Sequence, residues 1–138
     1  MRVVLDTNVL VSGALLPDSV PGRFFDRTQL VDTLLFSEAT FAELRSVLIR
    51  PKFDRYMDVT RRDRFLRRCL EISALIEVVR KIQACRDPSD DKFPEVVVNG
   101  DAEILVTGDA DLLILDPFEG IPVIAPAEYL GRAGALQV

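Results

Sequence analysis

The sequence predicts an α/β fold: a three-layer α/β/α sandwich with a mainly parallel central sheet. Three observations carry that expectation. Short apolar runs alternate along the chain with longer segments whose apolar residues recur at i, i+3 and i+4, so strands alternate with helices. The 138 residues suit one domain, expected to span 1–138. Acidic residues directly follow several of the apolar runs, and parallel sheets place their sites beyond the carboxyl ends of the strands.

Taken in order, residues 2–6 are a β-branched run too short for a core helix, so they read as a buried strand. Asn8 is placed to cap a short helix reaching Leu16. Pro17-Asp18 and Pro21-Gly22 mark a turn, and residues 23–29 read as helical. Thr33–Phe36 reads as a second strand. Ser37 caps a helix with Phe41, Leu44, Val47 and Leu48 on one face, ending near Arg50 before Pro51. Residues 52–57 read as a short helical piece. Thr60 followed by Asp63 resembles a capping box with Asp in place of Glu. The helix it opens carries Phe65, Leu66, Cys69, Leu70, Ile72, Ser73 and Ile76. Residues 76–80 read as a short strand and 83–88 as a loop. Ser89 is placed to cap a helix over 89–99, ended by Gly100. Residues 103–107 are a buried strand, 109–113 a short helix, 121–124 a last strand and 126–131 a last helical turn or two.

Composition narrows the chemistry. Histidine is absent. That excludes Ser-His-Asp and Cys-His pairs, a histidine acid–base pair and a His-ligated zinc. Cys69 and Cys85 are widely spaced, with no CxxC, and read as reduced thiols. No apolar run approaches the ~20 residues of a membrane span. The N-terminus lacks the pattern of a signal peptide. A cytoplasmic protein with no membrane association is expected. The net charge of −5 conceals an asymmetry. Residues 1–43 carry −3, residues 44–81 carry +6 and residues 82–138 carry −8. A basic middle beside acidic flanks suits an enzyme that holds a polyanion with cations and a metal with carboxylates. The Arg61, Arg62, Arg64, Arg67 and Arg68 series is a candidate RNA contact; its plainer reading is a solvated helix face.

Four acidic stations stand out. They are Asp6 after the first strand, Glu43 in the helix after the second, Asp90-Asp91 near the start of a later helix, and Asp109 with Asp111 after the strand over 103–107. Carboxylates at the ends of buried strands are costly unless compensated. A hard divalent cation is a common compensation where several oxygens converge. Each acid also has an ordinary structural role available: Asp6 and Asp109 as caps, Asp90 and Asp91 as first-turn acids, Glu43 as a solvated helix residue.

The residues Val3-Val4-Leu5-Asp6-Thr7-Asn8-Val9-Leu10, Ala42-Glu43-Leu44, Arg86-Asp87-Pro88-Ser89-Asp90-Asp91-Lys92-Phe93 and Leu105-Val106-Thr107-Gly108-Asp109-Ala110-Asp111-Leu112 together resemble the motifs of PIN domains. Arg50-Pro51-Lys52-Phe53 and Pro126-Ala127-Glu128-Tyr129-Leu130 are similar to the prokaryotic, VapC-like toxin subgroup of toxin–antitoxin pairs. The resemblance runs from Met1 to Leu130. It implies a PIN-like sandwich and a metal-dependent ribonuclease. It implies Asp6, Glu43, Asp91 and Asp109 as the acidic quartet, with Asp91 chosen over Asp90 by its distance to Thr107. Asp111 is then an accessory acid, and Thr7 and Asn8 support the site. A homodimer, an RNA substrate and a cognate antitoxin are the partners it implies.

Oxygen-only ligands suit Mg²⁺ or Mn²⁺. Such an ion lowers the pKa of a bound water and relieves charge on a scissile phosphate. Asp6 and Asp91 are expected to bind the principal ion, with Asp109 also a ligand and Glu43 completing the shell or orienting water. Pro94 and Glu95 depart from the family pattern. With Ser89 as cap, Pro94 falls near the fifth helical position and removes a hydrogen bond. Otherwise the helix starts nearer Pro94 and Asp91 lies in the preceding loop. Glu95 adds a ligand or a charge close to the site. The alternative function is a catalytically silent PIN-like module that binds RNA or protein. A phosphotransfer enzyme using Asp6 ranks lower, because Asn8 stands where such enzymes want a second Asp.

Overall fold

A computed structural model describes residues 1–136, the last five by backbone alone. The elements run β1 (Arg2–Leu5), α1 (Thr7–Leu15), α2 (Val20–Val31), β2 (Thr33–Phe36), α3 (Glu38–Leu48), α4 (Val59–Glu71), β3 (Ser73–Leu75), α5 (Lys92–Asn99), β4 (Ile104–Val106), α6 (Ala110–Leu113), β5 (Val123–Ile124) and α7 (Pro126–Leu136). Single 3₁₀ turns occur at Pro51–Phe53 and Pro88–Asp90. The strands form one sheet in the order β3-β2-β1-β4-β5, and every pairing is parallel.

Alternation along the strands divides the core into two layers. Val3, Leu5, Leu34, Phe36, Ile104, Val106 and Ile124 join the core on one face, with residues of α1, α2, α3 and α4. Val4, Leu35, Leu105 and Val123 point to the other, packed on Phe93, Val96 and Val97 of α5 and Leu112 of α6. Helices on both faces of a parallel sheet complete the sandwich. The chain moves outward from β1 through β2 to β3, then returns to build β4 and β5 on the other side of β1. The order therefore reverses between β1 and β4, and a crevice is expected beyond their carboxyl ends.

Local chemistry moves several boundaries from where the sequence places them. Asp6, not Asn8, caps α1, accepting from the Val9 N–H. Pro21 and Gly22 lie in the first turn of α2, capped by Ser19, rather than in a turn before it. There Pro's missing N–H costs nothing. Asp58 caps α4 through the Arg61 N–H, so the Thr60–Asp63 capping box does not form. That helix ends at Glu71; Ser73 belongs to β3, and residues 76–80 hold no strand. The edge strand thus begins where the helix-spaced pattern was still running, because Ala74 and Ile76 pack under the sheet beside α5. Only Pro51–Phe53 of the 52–57 region is helical, as 3₁₀. At α5, Ser89 is not the cap. The helix starts at Lys92, and Pro94 is its third residue. An N–H there has no intrahelical partner in any case, so Pro94 is compatible with a regular α5.

Candidate active site

The end of β1 and the end of β4 lie side by side, with the Asp6 N–H bonded to the Val106 carbonyl at 3.1 Å. Leaving β1, the backbone turns at once into α1, and Asp6 is buried at 3% exposure while capping it. One carboxylate oxygen accepts from the Val9 N–H at 2.8 Å. The other accepts from the Thr107 hydroxyl. The same Thr107 oxygen accepts the Asp109 N–H at 2.9 Å. Asp109 in turn caps α6, accepting from the Asp111 N–H at 2.9 Å. A single hydroxyl therefore links the two strand-end carboxylates, and Thr107 itself is fully buried.

Glu43 reaches this place from α3. Its two oxygens are both engaged: Oε2 accepts from the Thr7 hydroxyl and Oε1 from the Lys92 ammonium at 3.0 Å. The electrostatics show which acids share the space. Burial pushes the Asp6 carboxyl above its ordinary range; hydrogen bonds from Thr107 and Val9 oppose this, and the charges of Asp109 and Glu43 reinforce it. Burial likewise pushes Asp90 up, reinforced by Asp109, Asp87, Glu43 and Asp111. The charges of Asp109 and Glu43 thus bear on both Asp6 and Asp90.

Asp91 is tied to the preceding loop through one oxygen. Its Oδ1 accepts the backbone N–H groups of Cys85 at 2.8 Å and Ala84 at 3.1 Å. The Cys85 bond is the main reason its carboxyl is held below the ordinary range. Oδ1 of Asp91, the third acid by its spacing to Thr107, is thus committed to the 84–85 loop. The charges of Asp109, Asp87, Glu43 and Asp111 act on Asp90, and Asp91 ties the preceding loop to the start of α5. The cause is the 3₁₀ turn at Pro88–Asp90, held by Asp87 accepting from Ser89. Successive residues of such a turn point in different directions.

Asn8 is exposed and makes no hydrogen bond to these carboxylates; it lines a cleft of about 470 Å³ with Val9, Ser12, Pro21, Gly108 and Asp109. Glu95 is not a member of the pocket: its nearest cation is Lys81 at 3.8 Å, in a neighbouring groove. Arg62 is buried and paired with Asp54 at 2.9 Å, so it is withdrawn as an RNA contact. Arg68 lies beside Gln29, near the end of α2 that leads into β2. That is the opposite edge of the sheet from the acids. Arg61 and Arg64 are exposed. Two residues of the site carried no catalytic weight in the sequence. They are Thr107, detectable as a hydroxyl between a strand and a capping Asp, and Lys92, detectable as a base directly following two acids.

The donor set fits a hard divalent cation. The candidate ligands are carboxylate oxygens, and Lys92 offsets only Glu43 among them. Among the described residues, no three acids or thiols are gathered closely enough to enclose an ion as they stand. Side-chain movement would have to bring them together.

The sequence model of the PIN domain matches residues 2–111. An uncharacterised protein of Methanocaldococcus jannaschii is 30% identical over 111 residues, 74% of this chain and 67% of that protein. Among solved structures, PAE2754 from Pyrobaculum aerophilum is similar with a TM-score of 0.64 at 19% identity, over 98% of this chain and 90% of the other. VapBC2 from Rickettsia felis, solved bound to a DNA fragment from their promoter, gives 0.60 at 13% identity, over 91% and 98%. FitAB bound to the IR36 DNA fragment gives 0.56 at 17%, over 90% and 94%. At these identities the structural likenesses establish the fold.

Proposed function

The chain belongs to the PIN domain family, and on that footing we propose that it is a Mg²⁺- or Mn²⁺-dependent endoribonuclease acting as the toxin of a toxin–antitoxin pair. The observation that carries this reading is the linkage of Asp6 and Asp109 through the Thr107 hydroxyl at the β1/β4 switch point, where the charges of Asp109 and Glu43 bear on both Asp6 and Asp90. Carboxylates brought near one another at strand ends are a poor stabilising device, and their oxygens suit a hard cation. Asp6, Asp90 and Asp109 are the proposed ligands. When bound, the ion would supply an activated water and charge relief on the phosphate. The chain's own contributions are separate from that. Thr107 orients Asp6 and fixes the start of the Asp109 turn. Thr7 orients Glu43. Asp91 holds the loop that presents Asp90. The toxin assignment rests on the resemblance of the motifs to the VapC-like subgroup and on the fold shared with VapBC2 and FitAB. A cognate antitoxin and a homodimer are part of the proposal. Among the described residues no helix is long and apolar enough to cross a membrane.

The test is cleavage of varied single-stranded RNAs with Mg²⁺ or Mn²⁺, comparing wild type with Asp6→Asn. The expected result is ion-dependent cleavage by wild type and loss of about two orders of magnitude or more in the variant. One observation favours a second reading: no ligand set is gathered among the described residues as they stand. A catalytically silent module that binds RNA or protein predicts equal inertness of both proteins with RNA binding intact.

A further inference from the structure

The β3 edge of the sheet carries apolar side chains that the described residues leave open. Ile49 is 55% exposed, Leu70 50% and Leu75 70%. With Phe41 they line a groove of about 580 Å³ between α3 and the end of α4. A second groove of about 730 Å³ continues past the start of α3, and the two share Glu38, Ala42 and Leu75. β3 itself is Ser-Ala-Leu, with neither the Lys nor the Pro that blunts a free edge. Clustered apolar side chains beside an open strand mark a polypeptide interface.

The charges on α3 say which polypeptide fits. Glu38, Ala42, Arg45 and Ile49 are all exposed, and their i, i+4, i+7, i+11 spacing is that of a coiled-coil seam. Glu38 opens the helix, and Arg45 lies two turns on, about 10 Å further along the axis. They are too far apart to pair with each other, and among the described residues neither has an ion pair. Two copies of α3 laid antiparallel about a twofold axis beside Ala42 set Glu38 of each opposite Arg45 of the other. The small Ala42 side chain then lies at the crossing and lets the helices approach. The same register carries each Ile49 past the start of the other helix, where the larger groove opens. A partner of one charge would match one end of the seam and oppose the other. Opposite charges at its two ends are self-complementary.

We infer that α3 and the β3 edge form an isologous interface with a second copy of this chain, with two Glu38–Arg45 pairs flanking an apolar patch of Ile49, Leu70 and Leu75. This gives a surface to the homodimer of the reading above, on which it rests for nothing else. It needs neither metal nor RNA.

The test is sedimentation velocity at micromolar concentrations, in EDTA and without RNA, on wild type, Glu38→Arg, Arg45→Glu and the double variant. Wild type should sediment as a dimer. Each single variant sets like charges against each other twice and should weaken the dimer about tenfold or more. The double variant reverses both pairs and should restore Kd to within about threefold of wild type. An equimolar mixture of the two single variants should also recover dimer, because each mixed dimer again has two opposite-charge pairs. A monomeric wild type overturns the inference and leaves the grooves to a different polypeptide. Single variants that dimerise as tightly as wild type overturn it too, as does a double variant no tighter than the singles. If circular dichroism shows a single variant to be unfolded, Ala42→Arg takes its place; it should be monomeric, and a retained dimer overturns the inference. A wild type that dimerises yet cleaves no RNA overturns the nuclease reading alone.

Discussion

Replacing Asp91 separates a loop anchor from a metal ligand, and the outcome can be scaled from the structure. Asp91 is 8% exposed, and its Oδ1 accepts two backbone N–H groups, from Ala84 at 3.1 Å and Cys85 at 2.8 Å. Asp91→Ala removes the acceptor for both. A hydrogen bond to a charged group contributes about 1.5–3 kcal/mol. The 84–85 loop is only half-buried and can turn partly to water, so the expected loss is about 2–4 kcal/mol in total. For a chain of this size that lowers Tm by about 6–16 °C. Asp91→Asn keeps an oxygen in the same place and loses only the charge, so it should cost about 1 kcal/mol. The sign of the pH dependence follows. The folded carboxyl lies below its ordinary range. Its contribution is therefore present above the unfolded pKa of about 3.9 and disappears as pH falls through the folded value. Asp91→Asn should show a flatter stability profile on that acid side. Thermal and urea unfolding from pH 2 to pH 7, with Mn²⁺ titration of the same proteins, measures all of this. Asp91→Asn should bind Mn²⁺ within about threefold of wild type, while Asp90→Asn should lose about tenfold or more. An Asp91→Asn protein with wild-type Tm and abolished Mn²⁺ binding would refute the reasoning and return the ligand role to Asp91.

Asp6→Asn should cost cleavage yet stabilise the metal-free protein near neutral pH. The raised folded pKa, due first to burial, makes Asp6's contribution fully present below about pH 3.9 and lost as pH rises through the folded value. A lower urea midpoint than wild type at pH 7 in EDTA would contradict this. Gly22→Ala should destabilise by about 1–3 kcal/mol in urea unfolding. A Cβ at Gly22 would come within 2.2 Å of the Pro17 carbonyl oxygen, and backbone is what must yield. Neither thiol should react with iodoacetamide at pH 8 in the native protein. Burial pushes both Cys69 and Cys85 up to about 12, and for Cys85 the Asp91 carboxylate adds to that. Mass spectrometry should find labelling only after denaturation, and rapid native labelling of Cys85 would show the loop to be open.

Much of the fold was legible because its signals are local. The strand at Thr33–Phe36 and the helix capped by Ser37 are where residue patterns put them, since a short apolar run and a hydroxyl cap act within a few residues. The errors have local rivals behind them. Asn8 and Asp6 are both capping residues two positions apart, and the carboxylate at the strand end won. Thr60 lost to Asp58 in the same way. The α4–β3 boundary was hidden because Ser73 and Ile76 fit both the helical spacing and a half-buried edge strand.

The amino-acid sequence by itself determined that no histidine chemistry is available, that strands alternate with helices, and that Asp6 and Asp109 each follow a strand. Those facts depend on composition and on periodicities that each segment carries alone. Only the tertiary structure decided that β1 lies beside β4, that Asp91 is tied to the 84–85 loop, that Arg62 turns inward, and that Lys92 lies against Glu43 across 49 positions of chain. A side chain leaving an irregular turn has no periodicity to direct it. Its heading is set by whichever donor the rest of the fold brings within reach, here the Cys85 and Ala84 N–H groups for Asp91.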